Sequence, residues 1–238
     1  MRTALRIYWW ALQNTYEELF TLAGINLAWW GIGLGLPIGA SYLGQPLLAA
    51  ILFLFLAPPP TAGVFYCANF MAHDKPISFG LFWEGTKKFI LKSWAWGWLD
   101  ILVPIILVTN IWFYGRWEGT WVIWVQALFF SMLLYWCIVQ VYVFPMLLEL
   151  KETKLLLAVR NAFFLALSNP LAALLLALLT AATVVLSLVL VLPAVFVGTG
   201  LVALIANRAV VELLGNYRER FKDSSSDADS SEVASTSE

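Results

Sequence analysis

Charge is scarce in this chain, and histidine and cysteine are scarcer. Only 12% of its 238 residues are charged, while 61% are hydrophobic; a soluble domain carries roughly 25% charged residues. That balance excludes a water-facing surface over most of the chain and makes lipid its solvent. Net charge is −1, so no basic footprint for nucleic acid exists. The one histidine is His73, and the two cysteines, Cys67 and Cys137, lie in apolar runs outside any CxxC. Nitrogen and sulfur donors therefore cannot assemble a metal site, and the thiols read as small buried hydrophobes. No glycine-rich phosphate loop, nucleophile–base pair or carboxylate pair is apparent, so neither catalytic residues nor a cofactor are expected. Met1 to Gln13 lacks the basic start, short apolar core and small-residue site of a cleaved leader. The first apolar run is accordingly expected to be a retained span.

What the chain has instead is apolar runs of membrane length. A bilayer core takes roughly 20 residues of helix. Six runs meet that length, at about 19–38, 46–71, 94–114, 121–148, 170–191 and 194–215. The fold class is thus an all-α polytopic membrane domain over 1–222, with short links at Gly39–Gln45 and the Pro193 turn. Lys75, Lys87, Lys88, Lys92, Lys151, Lys154, Arg160, Arg218, Arg220 and Lys222 fall on the side of Arg2 and Arg6, and Arg116 alone falls on the other. The positive-inside bias predicts a multi-pass protein of the inner (plasma) membrane with both termini cytoplasmic. Trp94, Trp96, Trp112, Trp117 and Trp121 suit aromatic belts at the two interfaces.

Two connections on the basic side read as amphipathic helices. In one, Phe82, Trp83, Phe89 and Ile90 oppose Glu84, Lys87 and Lys88; in the other, Lys154 to Leu167, Leu156, Phe163 and Phe164 accompany Arg160 and Asn161. Such helices are either elbows in the membrane plane or docking surfaces for another subunit, with Lys87, Lys88 and Arg160 as the docking candidates. Spans two–three and four–five, each joined by an elbow, suggest weak parallel repeats. The acidic, serine-rich tail, 223–238, has too little apolar surface to offset its ordering entropy and is expected to be disordered.

Short motifs along the chain resemble the YesL-type membrane proteins. They are Tyr16-Glu17-Glu18-Leu19 with Asn26-Leu27-Ala28-Trp29 and Pro37, then Pro60-Thr61-Ala62-Gly63-Val64-Phe65-Tyr66 with Phe82-Trp83-Glu84-Gly85. Pro145-Met146-Leu147-Leu148 and Arg160-Asn161-Ala162-Phe163 complete the likeness, which covers nearly the whole chain except the tail. The stretch from Pro37 to Pro60 is longer than in the type members. The resemblance implies six spans, no established activity, and an accessory role in bacterial carbohydrate uptake.

Three features bear on chemistry. Pro58-Pro59-Pro60 removes three backbone donors and biases Ala57, Pro58 and Pro59 toward extended backbone. Span two is then two half-helices meeting in the membrane, with Thr61 capping the second and free carbonyls offering a substrate site; otherwise it is a short hairpin with prolines near an interface. Asn26 needs a partner in lipid, and helix–helix bonding is the usual answer. Gly31, Gly33 and Gly35 read as sites of close helix contact, and Arg208 and Glu212, at i and i+4, as a local ion pair. Asp100, about 12 Å into span three from Lys92 at the usual rise, must be partnered, wet or protonated. Pro104 also leaves the Asp100 carbonyl without its helical donor, so the position is either a proton or cation site or a hydrogen-bonded link to a neighbouring Trp or Asn. The functions consistent with these features are an accessory subunit of a membrane complex, a small-solute or ion-coupled transporter, and a structural subunit of an energy-transducing complex.

Overall fold

The computed structural model describes residues 2–190 and 194–235, with Arg2, Leu188, Ala194 and 218–235 described by backbone alone. The described residues are all-α, and among them six helices are long and apolar enough to cross a membrane: Leu19–Tyr42, Pro46–Ala72, Ile90–Tyr114, Thr120–Glu149, Pro170–Ser187 and Val195–Tyr217. These agree with the six expected spans to within a few residues. The Pro193 turn lies outside the described residues. The backbone of the last helix is described as far as Ser235.

Span one comprises α2 (Leu19–Trp29), a π-helical stretch (Trp30–Gly35) and α3 (Leu36–Tyr42). Gly44, at φ 71°, makes the turn into span two, which Pro46 opens at the first helical position, where a missing N–H costs nothing. Span two is α4 (Pro46–Leu56) and α5 (Pro58–Ala72). Spans three and four are the single helices α7 (Ile90–Tyr114) and α8 (Thr120–Glu149). Span five is α10 (Pro170–Val189); span six is a π-helical stretch (Ala194–Gly198) running into α11 (Thr199–Ser235).

Each odd-numbered span is preceded by an elbow helix, with a single residue between them: α1 (Arg2–Glu17), α6 (Phe79–Lys88) and α9 (Leu155–Ser168). The repeating unit is therefore an elbow plus two spans, occurring three times. This corrects the expected pairing of spans two–three with four–five. The register of α1 is legible only in retrospect, since Ala4, Ile7 and Ala11, all 0% exposed, form its buried stripe at helical spacing. In α9 the buried face is Ala158, Ala162, Leu165 and Ala166, while Leu156, Phe163 and Phe164 point outward. The small side chains let α9 sit close on α8, so the larger apolar residues are left for lipid.

The units close on one another. Elbow α6 packs on span two, α9 on span four and α1 on span six, each elbow covering the second span of the preceding unit. Spans two, four and six meet in the middle, and their side chains supply much of the core, including Val64, Phe144 and Ile205. Close approach is deepest where α6 meets α5. A Cβ on Gly63 would lie 2.7 Å from the Phe82 carbonyl oxygen, and one on Gly85 would lie 2.5 Å from the Tyr66 Cβ. Ser78 caps α6 by accepting the Leu81 N–H at 3.3 Å.

Candidate functional site

The proline run interrupts span two without unfolding it. Ala57 is helical at φ −75°, ψ −38°, and Pro58, Pro59 and Pro60 form the first turn of α5. This corrects the expected extended backbone: a helix's first turn needs no N–H donors, so three prolines fit there, and the preference of pre-proline residues yields to the packing of the span. Thr61 is not an N-cap. Its hydroxyl donates back to the Ala57 carbonyl at 2.7 Å and accepts the Trp29 indole N–H at 2.8 Å. One carbonyl freed by the prolines, that of Phe55, accepts the Trp94 indole N–H at 2.8 Å. Spans one and three therefore lend tryptophan donors to the break.

Of Gly31, Gly33 and Gly35, only Gly33 makes a close approach, with a Cβ there 3.4 Å from the Ala57 Cα; Gly31 has open space around it and Gly35 meets only its own helix. Asn26, fully buried, ties span one to the π-helical start of span six. Its amide donates to the carbonyls of Leu22 (3.0 Å) and Phe196 (3.1 Å), and its carbonyl accepts the Thr199 hydroxyl and the Gly200 N–H. Such π-helical segments occur often at functional sites. Here they border a cavity of about 430 Å³ lined by Trp29, Trp30, Phe53, Thr61, Val184 and Thr199 among others. The hydroxyls of Thr61 and Thr199 are spent on internal bonds, so the cavity presents an apolar wall.

Asp100 faces elsewhere. Its carboxyl lies beside the Trp136 indole of span four, although that N–H makes no hydrogen bond of normal geometry. One turn away, Trp96 donates to Gln140 at 2.9 Å, so two polar pairs, 96 with 140 and 100 with 136, join antiparallel spans three and four. The helix continues through Pro104. An adjoining side of span three meets the break, where a Cβ on Gly97, one turn before Asp100, would lie 3.1 Å from Pro58. Pro58 of span two thus packs on span three within a turn of Asp100, whose own side-chain neighbour is Trp136 of span four.

A second polar cluster went unread in the sequence. Asn69 of span two donates to Glu149 of span four (2.8 Å) and to Asn207 of span six (3.3 Å), linking one residue from each central span. His73 lies 3.4 Å from Glu149, and Asn69, His73, Lys75 and Glu149 line a pocket of about 210 Å³. The available signal was an Asn within each of two apolar runs, Asn69 and Asn207. The expected Arg208–Glu212 pair is replaced by longer-range contacts. Arg208 donates to the Ala72 carbonyl (2.9 Å), approaches Asp74 (3.9 Å) and stacks on Trp10, while Glu212 pairs with Arg6 of α1. Tertiary partners at the elbow end outcompete the neighbour on the helix.

The docking candidates are divided between two elbows. Lys87 and Arg160 are exposed on α6 and α9, while Lys88 reaches over the Tyr66 and Phe89 rings. No group of three or more His, Cys, Asp or Glu able to hold a metal occurs among the described residues. No family model, curated protein or solved structure matches the chain.

Proposed function

We propose that this protein is a non-catalytic accessory subunit that assembles with other membrane proteins. The observation that carries the reading is the unequal burial of its spans. Only 6% of the most apolar stretch of span three and 11% of that of span four are buried within the protein, against 61% for span six. Trp124, Ile123, Phe130 and Ile106 are all more than half exposed along this hairpin. Three polar side chains of the hairpin are spent on its own backbone: Asn110 on Ile106, Gln126 on Ile111 and Ser131 on Ala127. A long apolar hairpin so little buried within its own chain suits contact with another membrane helix. The YesL-type motifs support a link to carbohydrate uptake, and the basic residues at the elbow end support cytoplasmic termini in a plasma membrane.

Purification in mild detergent, with a photo-cross-linking residue at Trp124 or at Phe20, tests this. The copurifying membrane subunit is expected to cross-link from 124 and not from Phe20 of span one. Solute uptake by the reconstituted protein alone overturns the reading. The transporter alternative has one specific observation in its favour, the Asp100 carboxyl within span three beside the unbonded Trp136 indole. It requires Asp100→Asn to abolish cation-dependent uptake by the purified protein while leaving its fold intact.

A further inference from the structure

We propose that elbow α6 and the start of span three form a binding site for the phosphate headgroup of an anionic membrane lipid. Lys75, Lys87, Lys88 and Lys92 all fall in this stretch of chain, and none pairs with a carboxylate among the described residues, Lys88 donating instead to the Tyr66 hydroxyl at 3.5 Å. The two acidic groups in the same stretch are engaged otherwise: Glu84 accepts the Tyr66 hydroxyl at 3.0 Å, and Asp74 approaches Arg208.

Two of the lysines are positioned by one ring. Phe89, the single residue between α6 and span three, is 3% exposed, and the Nζ atoms of Lys88 and Lys92 lie 5.6 and 5.5 Å from its centroid. Lys88 also stands 5.2 Å over the Tyr66 ring, which packs against Phe89 at 5.7 Å. Lys92 bonds the Thr153 hydroxyl, and an ammonium with one donor spent keeps two for a phosphate oxygen.

The neighbouring surface fits the rest of a lipid. Phe79, Trp83 and Lys87 follow one another at i, i+4 and i+8 along one face of α6, and all three are exposed. Aromatic rings beside a lysine that can extend to the headgroup level are the pattern of an interfacial helix. Charge complementarity selects an anionic over a zwitterionic headgroup. This assignment takes Lys87 and Lys88 from the docking of a protein partner to the docking of lipid, and it rests on the membrane reading, not on the accessory role.

The full chain, purified after equilibration with equal phosphatidylglycerol and phosphatidylcholine and then washed, is assayed for retained lipid by mass spectrometry. The parent is expected to retain the anionic lipid in several-fold excess. Lys87→Gln/Lys88→Gln/Lys92→Gln is expected to reduce that excess by about fivefold for each lysine in contact with phosphate, up to its complete loss, whereas the corresponding Arg variant keeps it. Equal retention by the parent, or an undiminished excess in a Gln variant that elutes as the parent does, overturns the proposal. The chain's own acidic tail is the competing occupant. If the excess appears only after Asp223, Asp227 and Asp229 are changed to Asn and Glu232 to Gln, the tail holds the site and the lipid assignment fails.

Discussion

Placing a methyl group at Gly63 tests whether the elbow is locked to span two by backbone contact. In an isolated helix Gly→Ala stabilises by about 1 kcal/mol. At Gly63 the added Cβ would press on the Thr86 hydroxyl, come 2.7 Å from the Phe82 carbonyl oxygen and 2.8 Å from the Phe82 ring. Thr86 can turn, but the Phe82 carbonyl is backbone of α6 and moves only if the elbow moves. Overpacking of this kind costs typically about 1–3 kcal/mol. The penalty exceeds the propensity gain over most of that range, so Gly63→Ala is expected to destabilise by up to about 2 kcal/mol net. At roughly 2–4 °C per kcal/mol for a chain of this size, the thermal midpoint should fall by several degrees, followed by the fluorescence of the 13 tryptophans in detergent. Gly24→Ala, where a Cβ meets nothing within 4 Å, should instead hold or raise the midpoint. Adding Thr86→Ala should restore only part of the loss, because the carbonyl contact persists. Gly63→Ala as stable as Gly24→Ala, or full rescue by Thr86→Ala, would refute the backbone argument.

Asn26→Leu should cost about 0.6–1.7 kcal/mol, the range for hydrogen bonds between membrane helices, whereas Asn110→Leu, which loses only a bond to its own helix at Ile106, should change the midpoint little. Glu149→Ala leaves the Asn69 amide without one of its acceptors and should destabilise by about 1–3 kcal/mol; Glu149→Gln retains an acceptor oxygen and should lose less, both read by thermal unfolding. With Cys67 and Cys137 replaced, a cysteine at Glu118 should react with an impermeant thiol reagent in intact cells and one at Gly80 should not; the reverse pattern inverts the orientation.

The spans were the most legible part of the sequence. Backbone polar groups in hydrocarbon must bond within their own segment, so an uncharged apolar run of sufficient length has almost no alternative to a helix. The elbows were half legible. Their amphipathic pattern predicts that a helix exists, but in α9 Ala158 and Ala162, rather than the larger Phe163 and Phe164, lie inside. In lipid there is little drive to hide a large apolar side chain, so small residues win the contact face. The site was least legible. Local rules for proline favoured an extended Ala57, yet a first helical turn absorbs three prolines, and the Trp94 and Trp29 indoles complete the break from other spans.

By itself, the sequence determined that the chain lives in a bilayer, has six stretches long and apolar enough to cross it and carries most of its basic residues on one side of them. Hydropathy and charge are properties of local segments, and solvent alone reads them. The tertiary structure alone decided that three elbow-and-hairpin units close around spans two, four and six, that Asn69, Glu149 and Asn207 meet there, and that Asp100 turns to Trp136 rather than to the proline break. A polar side chain in lipid must find a partner, but nothing local names which one. The choice falls to whichever helix packs close enough to offer a donor or acceptor, and that depends on glycines and alanines whose effect appears only when two helices are brought together.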